Sequence, residues 1–162
     1  MGLDQYLTAK KYVTKWDYSE GFDYRVITQE FQDLLPMDAP DITKYGTFAG
    51  ITVAYPVGYW RKANAIHNYF VQERGGGVDE CQEMFVPRDT LIELRWRCRV
   101  VLSSDNTEEM AQEVGLETVS GFFFGDNEYG EWYKDDLLLT IEIIDHVLTL
   151  PEEYSLHYQA SW

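Results

Sequence analysis

The window Gly58-Tyr59-Trp60-Arg61-Lys62-Ala63-Asn64-Ala65-Ile66-His67-Asn68-Tyr69-Phe70-Val71 constrains the chain most, because its apolar residues recur at helical spacing. At about 100° per residue, Tyr59, Ala63, Ile66 and Phe70 form an apolar stripe, and Trp60, Asn64, His67 and Val71 form the row at its edge. A half-polar edge row points polar tips into a cleft with an apolar floor, the usual construction of a small-ligand site. Gly58 is expected just before the first turn, which sets the free N–H groups and positive end of the helix beside Arg61, where an anion docks readily. The plainer readings are that His67 is a hydrogen-bonded packing residue and that Arg61 and Lys62 are solvated. Loss of side chains at Gly75-Gly76-Gly77 ends the helix.

Around this window the pattern predicts one α+β domain spanning residues 1–162, a mostly antiparallel sheet packed with about three to four helices. Leu3 to Val13 and Tyr24 to Thr28 read as strands joined by a turn over Asp17 to Asp23, and Pro36 to Pro40 as a connector. A third strand, Thr47 to Tyr55, feeds the helix through Pro56-Val57-Gly58, and Glu83 to Val86 is a short strand candidate. Leu91 to Leu102 fits both periods: Ile92, Leu94, Trp96, Cys98, Val100 and Leu102 alternate, yet Leu91, Leu94, Cys98 and Val101 make a helical stripe. Its length, with Pro87 able to open a helix, favours helix. Thr107 caps a short helix ending at Gly115, and Gly121 to Asn127 reads as strand or tight turn. A long helix from Tyr129 to Leu148, with Trp132 among its core-spaced residues, is closed by Pro151. Tyr154 to Ser161 is a last strand, which most economically joins the same sheet as the N-terminal strand.

Hydrophobic content of 45% excludes a disordered chain, and no apolar run approaches the roughly 20 residues of a membrane helix. The N-terminus has neither a secretory signal nor a myristoylation pattern, so a cytoplasmic protein is expected. Cys81 and Cys98 form no CxxC pair, so reduced, packed thiols are expected with no metal site and no cofactor motif. Oligomeric state has no signature here. The net charge of −15 repels nucleic-acid phosphates, and it is unevenly spread: −3 over residues 1–60, +1 over 61–102 and −13 over 103–162. Arg61, Lys62, Arg88, Arg95, Arg97 and Arg99 gather in the middle third, where pairing with the acidic third is the default and a local anion site the alternative.

The opening Met1-Gly2-Leu3-Asp4-Gln5-Tyr6-Leu7, the Gly58-to-His67 block, Gly121-Phe122-Phe123-Phe124-Gly125 with Tyr129 to Tyr133, and Asp136-Leu137 together resemble a family of small bacteriophage and bacterial proteins of uncharacterised function. The resemblance covers nearly the whole chain and implies a phage-type origin, hence a host-cell cytoplasm, and an α+β fold; it carries over no catalytic residue.

No P-loop, GxSxG, HExxH or EF-hand loop occurs. The leading expectation is a non-enzymatic binder that sequesters a small anionic, nucleotide-like ligand. Arg61 and Lys62 would meet phosphate, Asn64 and His67 would hydrogen-bond, and Trp60 with Tyr129 or Phe123 would stack on a base. Phe122 to Phe124, Trp132 and Tyr133 are core by default. Two alternatives stand beside it. In one, the acidic third mimics nucleic acid on a host protein through Glu131, Asp135, Glu142 and Asp145; in the other, a small hydrolase uses His67 with Glu83 or Asp126.

Overall fold

The computed structural model describes residues 2–14, 50–121 and 127–162. Expectations for Tyr24 to Thr28, for the segments 17–23 and 36–40, for residues 47–49 and for Phe122 to Asp126, Phe123 included, lie outside the described residues. The chain forms two compact units, residues 1–10 with 54–162, and residues 11–53.

The larger unit is an α+β arrangement, and the element order along the chain is β1 (Asp4–Thr14), β2 (Gly50–Arg61), α1 (Asn64–Gly75), β3 (Met84–Phe85), α2 (Arg88–Leu102), α3 (Thr107–Glu113), α4 (Glu131–Val147) and β4 (Ser155–Ser161). The four-stranded antiparallel sheet has the order β2-β1-β4-β3. β1 and β4 pair in the register Asp4 to Ser161 through Lys10 to Ser155, so the last strand joins the sheet of the first, as expected, and lies directly beside it. Along β1, Gln5, Leu7 and Ala9 are buried while Tyr6 is exposed, and Leu156, Tyr158 and Ala160 continue the buried face on β4.

The helices cover that face. Leu91, Leu94, Cys98 and Val101 of α2 are fully buried, whereas Ile92 and Trp96 of the competing alternating set are about half exposed, so the helical period wins over Leu91 to Leu102. On α4 the buried stripe is Tyr133, Leu137, Thr140, Ile144 and Val147. Trp132 is therefore not a core residue, and at 79% exposure it is the most open large apolar side chain of those described. Both cysteines are free; burial pushes the Cys98 thiol up to about 12, which suits a packed, inert group.

One expectation needs correction. Gly58 to Arg61 is not the first turn of the helix but the end of β2, with Trp60 turned inward and fully buried and Tyr59 outward at 46% exposure. β2, which holds Pro56, lies at the edge of the sheet, where strands tolerate proline. A Cβ at position 58 would lie 2.7 Å from Ile143 Cγ2 and 3.2 Å from Leu7 Cβ, so glycine is needed for α4 to approach the sheet. The chain turns into α1 through Lys62, whose φ of 62° is rare for a side-chain-bearing residue and whose N–H donates to Leu3 O at 2.8 Å. Helix α1 ends as expected, with Gly76 left-handed at φ 62°. The cap of α3 is Asn106 rather than Thr107, its side chain accepting from Glu109 N.

Candidate functional site

At the start of α1 lies a hollow of about 430 Å³, within the roughly 300–1,000 Å³ range usual for small-ligand sites. Arg61 and Lys62 come from the end of β2 and the turn after it, Asn64, Ala65 and Ile66 from the first turn of α1, Thr118 and Glu128 from loops, and Trp132, Tyr133, Asp136 and Leu137 from α4. The helix end is uncapped: Ala63 at the N-cap position offers no side-chain acceptor, and the first turn holds no acid. The first intrahelical acceptor, Ala63 O, is taken by His67 N, so the N–H groups of Ala65 and Ile66 find no acceptor within the helix.

The wall is held by tyrosines. Thr118 N donates to Tyr129 Oη (3.2 Å), Tyr133 Oη donates to Leu116 O (2.8 Å), and Val119 N donates to Asn64 Oδ1 (3.2 Å). Asn64 thus anchors the 116–121 segment to α1, and Tyr129, half-buried with its ring 5.0 Å from that of Tyr133, supports Thr118 from behind.

The cations divide cleanly. Arg95 and Arg99 pair with Asp145, Arg97 pairs with Glu73 and Glu93 and sits 5.0 Å over the Tyr69 ring, and Arg88 donates to Leu150 O and Pro151 O. Arg74, the seventh basic residue of the middle third, donates to Phe85 O at 2.9 Å, so of the seven Arg61 and Lys62 are the two whose side chains form no hydrogen bond or ion pair among the described residues. Both are exposed at the rim of the hollow.

The lining also holds a carboxylate from α4. Asp136, half-buried, makes no side-chain hydrogen bond among the described residues, and burial pushes its carboxyl from 3.8 to about 6, with Asp135 adding a smaller push. Below about pH 4 both folded and unfolded chains hold this proton; between about 4 and 6 the folded chain holds more of it, so stability falls as pH rises through that window and the cost is complete by about pH 7. With part of the carboxyl still in water, that cost is about 1–2 kcal/mol. Asp136→Asn is expected to raise Tm at pH 7.5 by about 2–6 °C and to leave it nearly unchanged at pH 3.5. Thermal unfolding at the two pH values measures this, and an equal gain at both would rule out the buried carboxylate as its cause.

Trp60 and His67 lie elsewhere. The Trp60 indole donates from Nε1 to Thr140 Oγ1 at 2.9 Å, and that hydroxyl donates to Asp136 O at 2.6 Å. His67, 2% exposed, bonds Tyr158 Oη through Nδ1 at 2.8 Å and Asp79 Oδ2 through Nε2 at 2.9 Å. Tyr158 donates its proton to Gln5 Oε1 (2.9 Å), and Gln5 Nε2 donates to Ala63 O (3.1 Å). Because the Tyr158 proton is used there, Nδ1 must donate to it. The network ends on the carbonyl that starts α1 and thereby fixes the edge of the hollow. Glu83 is bound to Lys10 and to His157 Nδ1 (3.2 Å); Asp126 lies outside the described residues.

Sequence reasoning missed Trp132, Asp136, Thr118 and Glu128. Asp136 carried a usable signal, a carboxylate directly beside the buried position Leu137. A second cavity, about 440 Å³, is lined by residues 85–89 and 152–156; its one basic residue, Arg88, is committed to main-chain carbonyls, and Asp89, Glu152 and Glu153 make it acidic.

Among the described residues no group of three or more His, Cys, Asp or Glu side chains is placed to hold a metal, and no helix is long and apolar enough to cross a membrane. No protein family, curated protein or solved structure matches the chain.

Proposed function

We propose that the chain is a non-enzymatic, phage-type accessory protein that takes up a small anionic, nucleotide-like ligand in the hollow at the start of α1. The observation that carries this reading is the pair Arg61 and Lys62, unpaired among the described residues in a protein of net charge −15, at the rim of a cavity that also holds an uncapped helix end. Guanidinium and ammonium would meet phosphate oxygens, the amides of Ala65 and Ile66 would supply fixed donors, and the exposed Trp132 indole would stack on a base in the role first expected of Trp60 with Tyr129 or Phe123.

The nucleic-acid-mimic reading draws less support. Asp145, one end of the proposed acidic band, is engaged by Arg95 and Arg99, so the charge on α4 is interrupted.

Calorimetric titration with GMP and AMP tests the proposal. The Arg61→Ala/Lys62→Ala double variant is expected to weaken binding at least about thirtyfold with the fold intact, about 2 kcal/mol for lost charge-assisted contacts. Unchanged affinity would refute it.

A further inference from the structure

We infer that the hollow selects guanine over other bases through the Asp136 carboxylate, an inference that rests on reading the hollow as a nucleotide site. The lining brings together groups of opposite sign from different elements: Arg61, Lys62 and the Ala65 and Ile66 amides from the junction of β2 and α1 make its first part, and Asp136 of α4 with Glu128 of the loop before it make its second. A ligand that is only an anion satisfies the first and is repelled by the second. One with an anionic end and a donor-bearing end satisfies both.

Asp136 is the more informative acid. It is half-buried on α4, one turn before Thr140, and its side chain forms no hydrogen bond among the described residues, so the fold itself gains nothing from its charge. An ionised carboxylate only accepts hydrogen bonds, and its two oxygens call for two convergent donors. The guanine edge presents N1–H and the N2 amino group side by side, which a carboxylate engages bidentately. Adenine offers one amino N–H beside the bare N1 lone pair, cytosine one amino group beside bare N3, and uracil one N–H between two carbonyls; each sets a lone pair against a carboxylate oxygen. Stacking on Trp132 tolerates any base, so discrimination falls to this edge.

The experiment is calorimetric titration of the full chain with GMP, AMP, XMP and inorganic phosphate, repeated on Asp136→Asn, which keeps the side-chain shape and is expected to fold at least as stably. The wild-type chain should bind GMP at least about tenfold more tightly than AMP and more tightly than phosphate. Asp136→Asn should lose that preference and gain affinity for XMP, because a carboxamide accepts from N1–H and donates to the xanthine O2. Equal GMP and AMP affinities that the substitution leaves alone would overturn the guanine assignment while the nucleotide site stands. Phosphate binding as tight as GMP would overturn it in favour of a plain anion site. If no nucleotide binds, or if binding survives loss of Arg61 and Lys62, the reading of the hollow itself fails.

Discussion

Trp60→Ala is expected to destabilise the protein by about 4 kcal/mol, the largest effect of any single substitution in the described core. The side chain is fully buried, its ring centroid lies 6.2 Å from that of Phe70, and Phe70 in turn stacks on Tyr158 at 4.1 Å, so removal opens a cavity in the middle of the aromatic core. It also removes the indole donor that joins β2 to Thr140 of α4, though Thr140 keeps its bond to Asp136 O. Trp60→Phe should recover most of the apolar contact and cost about 1–2 kcal/mol. Urea unfolding measures both; a loss under about 1 kcal/mol for the alanine variant would show that the core relaxes around the gap.

His67→Ala is expected to cost about 3 kcal/mol. The histidine is enclosed, and its removal strips the partner from Asp79 Oδ2 while Asp79 Oδ1 is already buried with no hydrogen bond among the described residues. It also leaves the Tyr158 hydroxyl with Gln5 alone. If the pair is coupled as the geometry requires, His67→Ala and Asp79→Ala should be non-additive by more than about 1 kcal/mol in a double-mutant cycle. Additive losses would mean that the contact contributes packing and little else. Since the network ends on Ala63 O, His67→Ala should also weaken ligand binding without any direct contact to the ligand.

These residues show which parts of the sequence were readable. Leu91, Leu94, Cys98 and Val101 announced a buried helix face because four apolar groups at one spacing leave little choice, and β1 with β4 announced themselves by alternation. The stretch from Gly58 to Lys62 misled, because Tyr59, Ala63, Ile66 and Phe70 fit the helical period by chance across a strand-to-helix junction. That junction is made by Lys62 in a left-handed conformation, with no Gly, Pro, Asn or Asp there to mark it. Trp132 and Tyr133 were both assigned to the core, although adjacent helix positions lie about 100° apart and only Tyr133 faces inward. For the site, Arg61, Lys62 and Asn64 stood out locally, whereas Trp132 and Asp136 come from about seventy positions further on, and only folding brings them to the same hollow. His67 had the chemistry of a site residue and the surroundings of a core residue, a distinction carried by Tyr158 and Asp79.

Whether the start of α1 receives the anionic end of a ligand can be read from the backbone amide resonances of 15N-labelled protein during a titration with GMP. Saturable shifts of the Ala65 and Ile66 amides together with the Trp132 indole N–H are expected, all lost in the Arg61→Ala/Lys62→Ala variant. Shifts confined to the cavity around Arg88 and Glu152, or none at all, would contradict it.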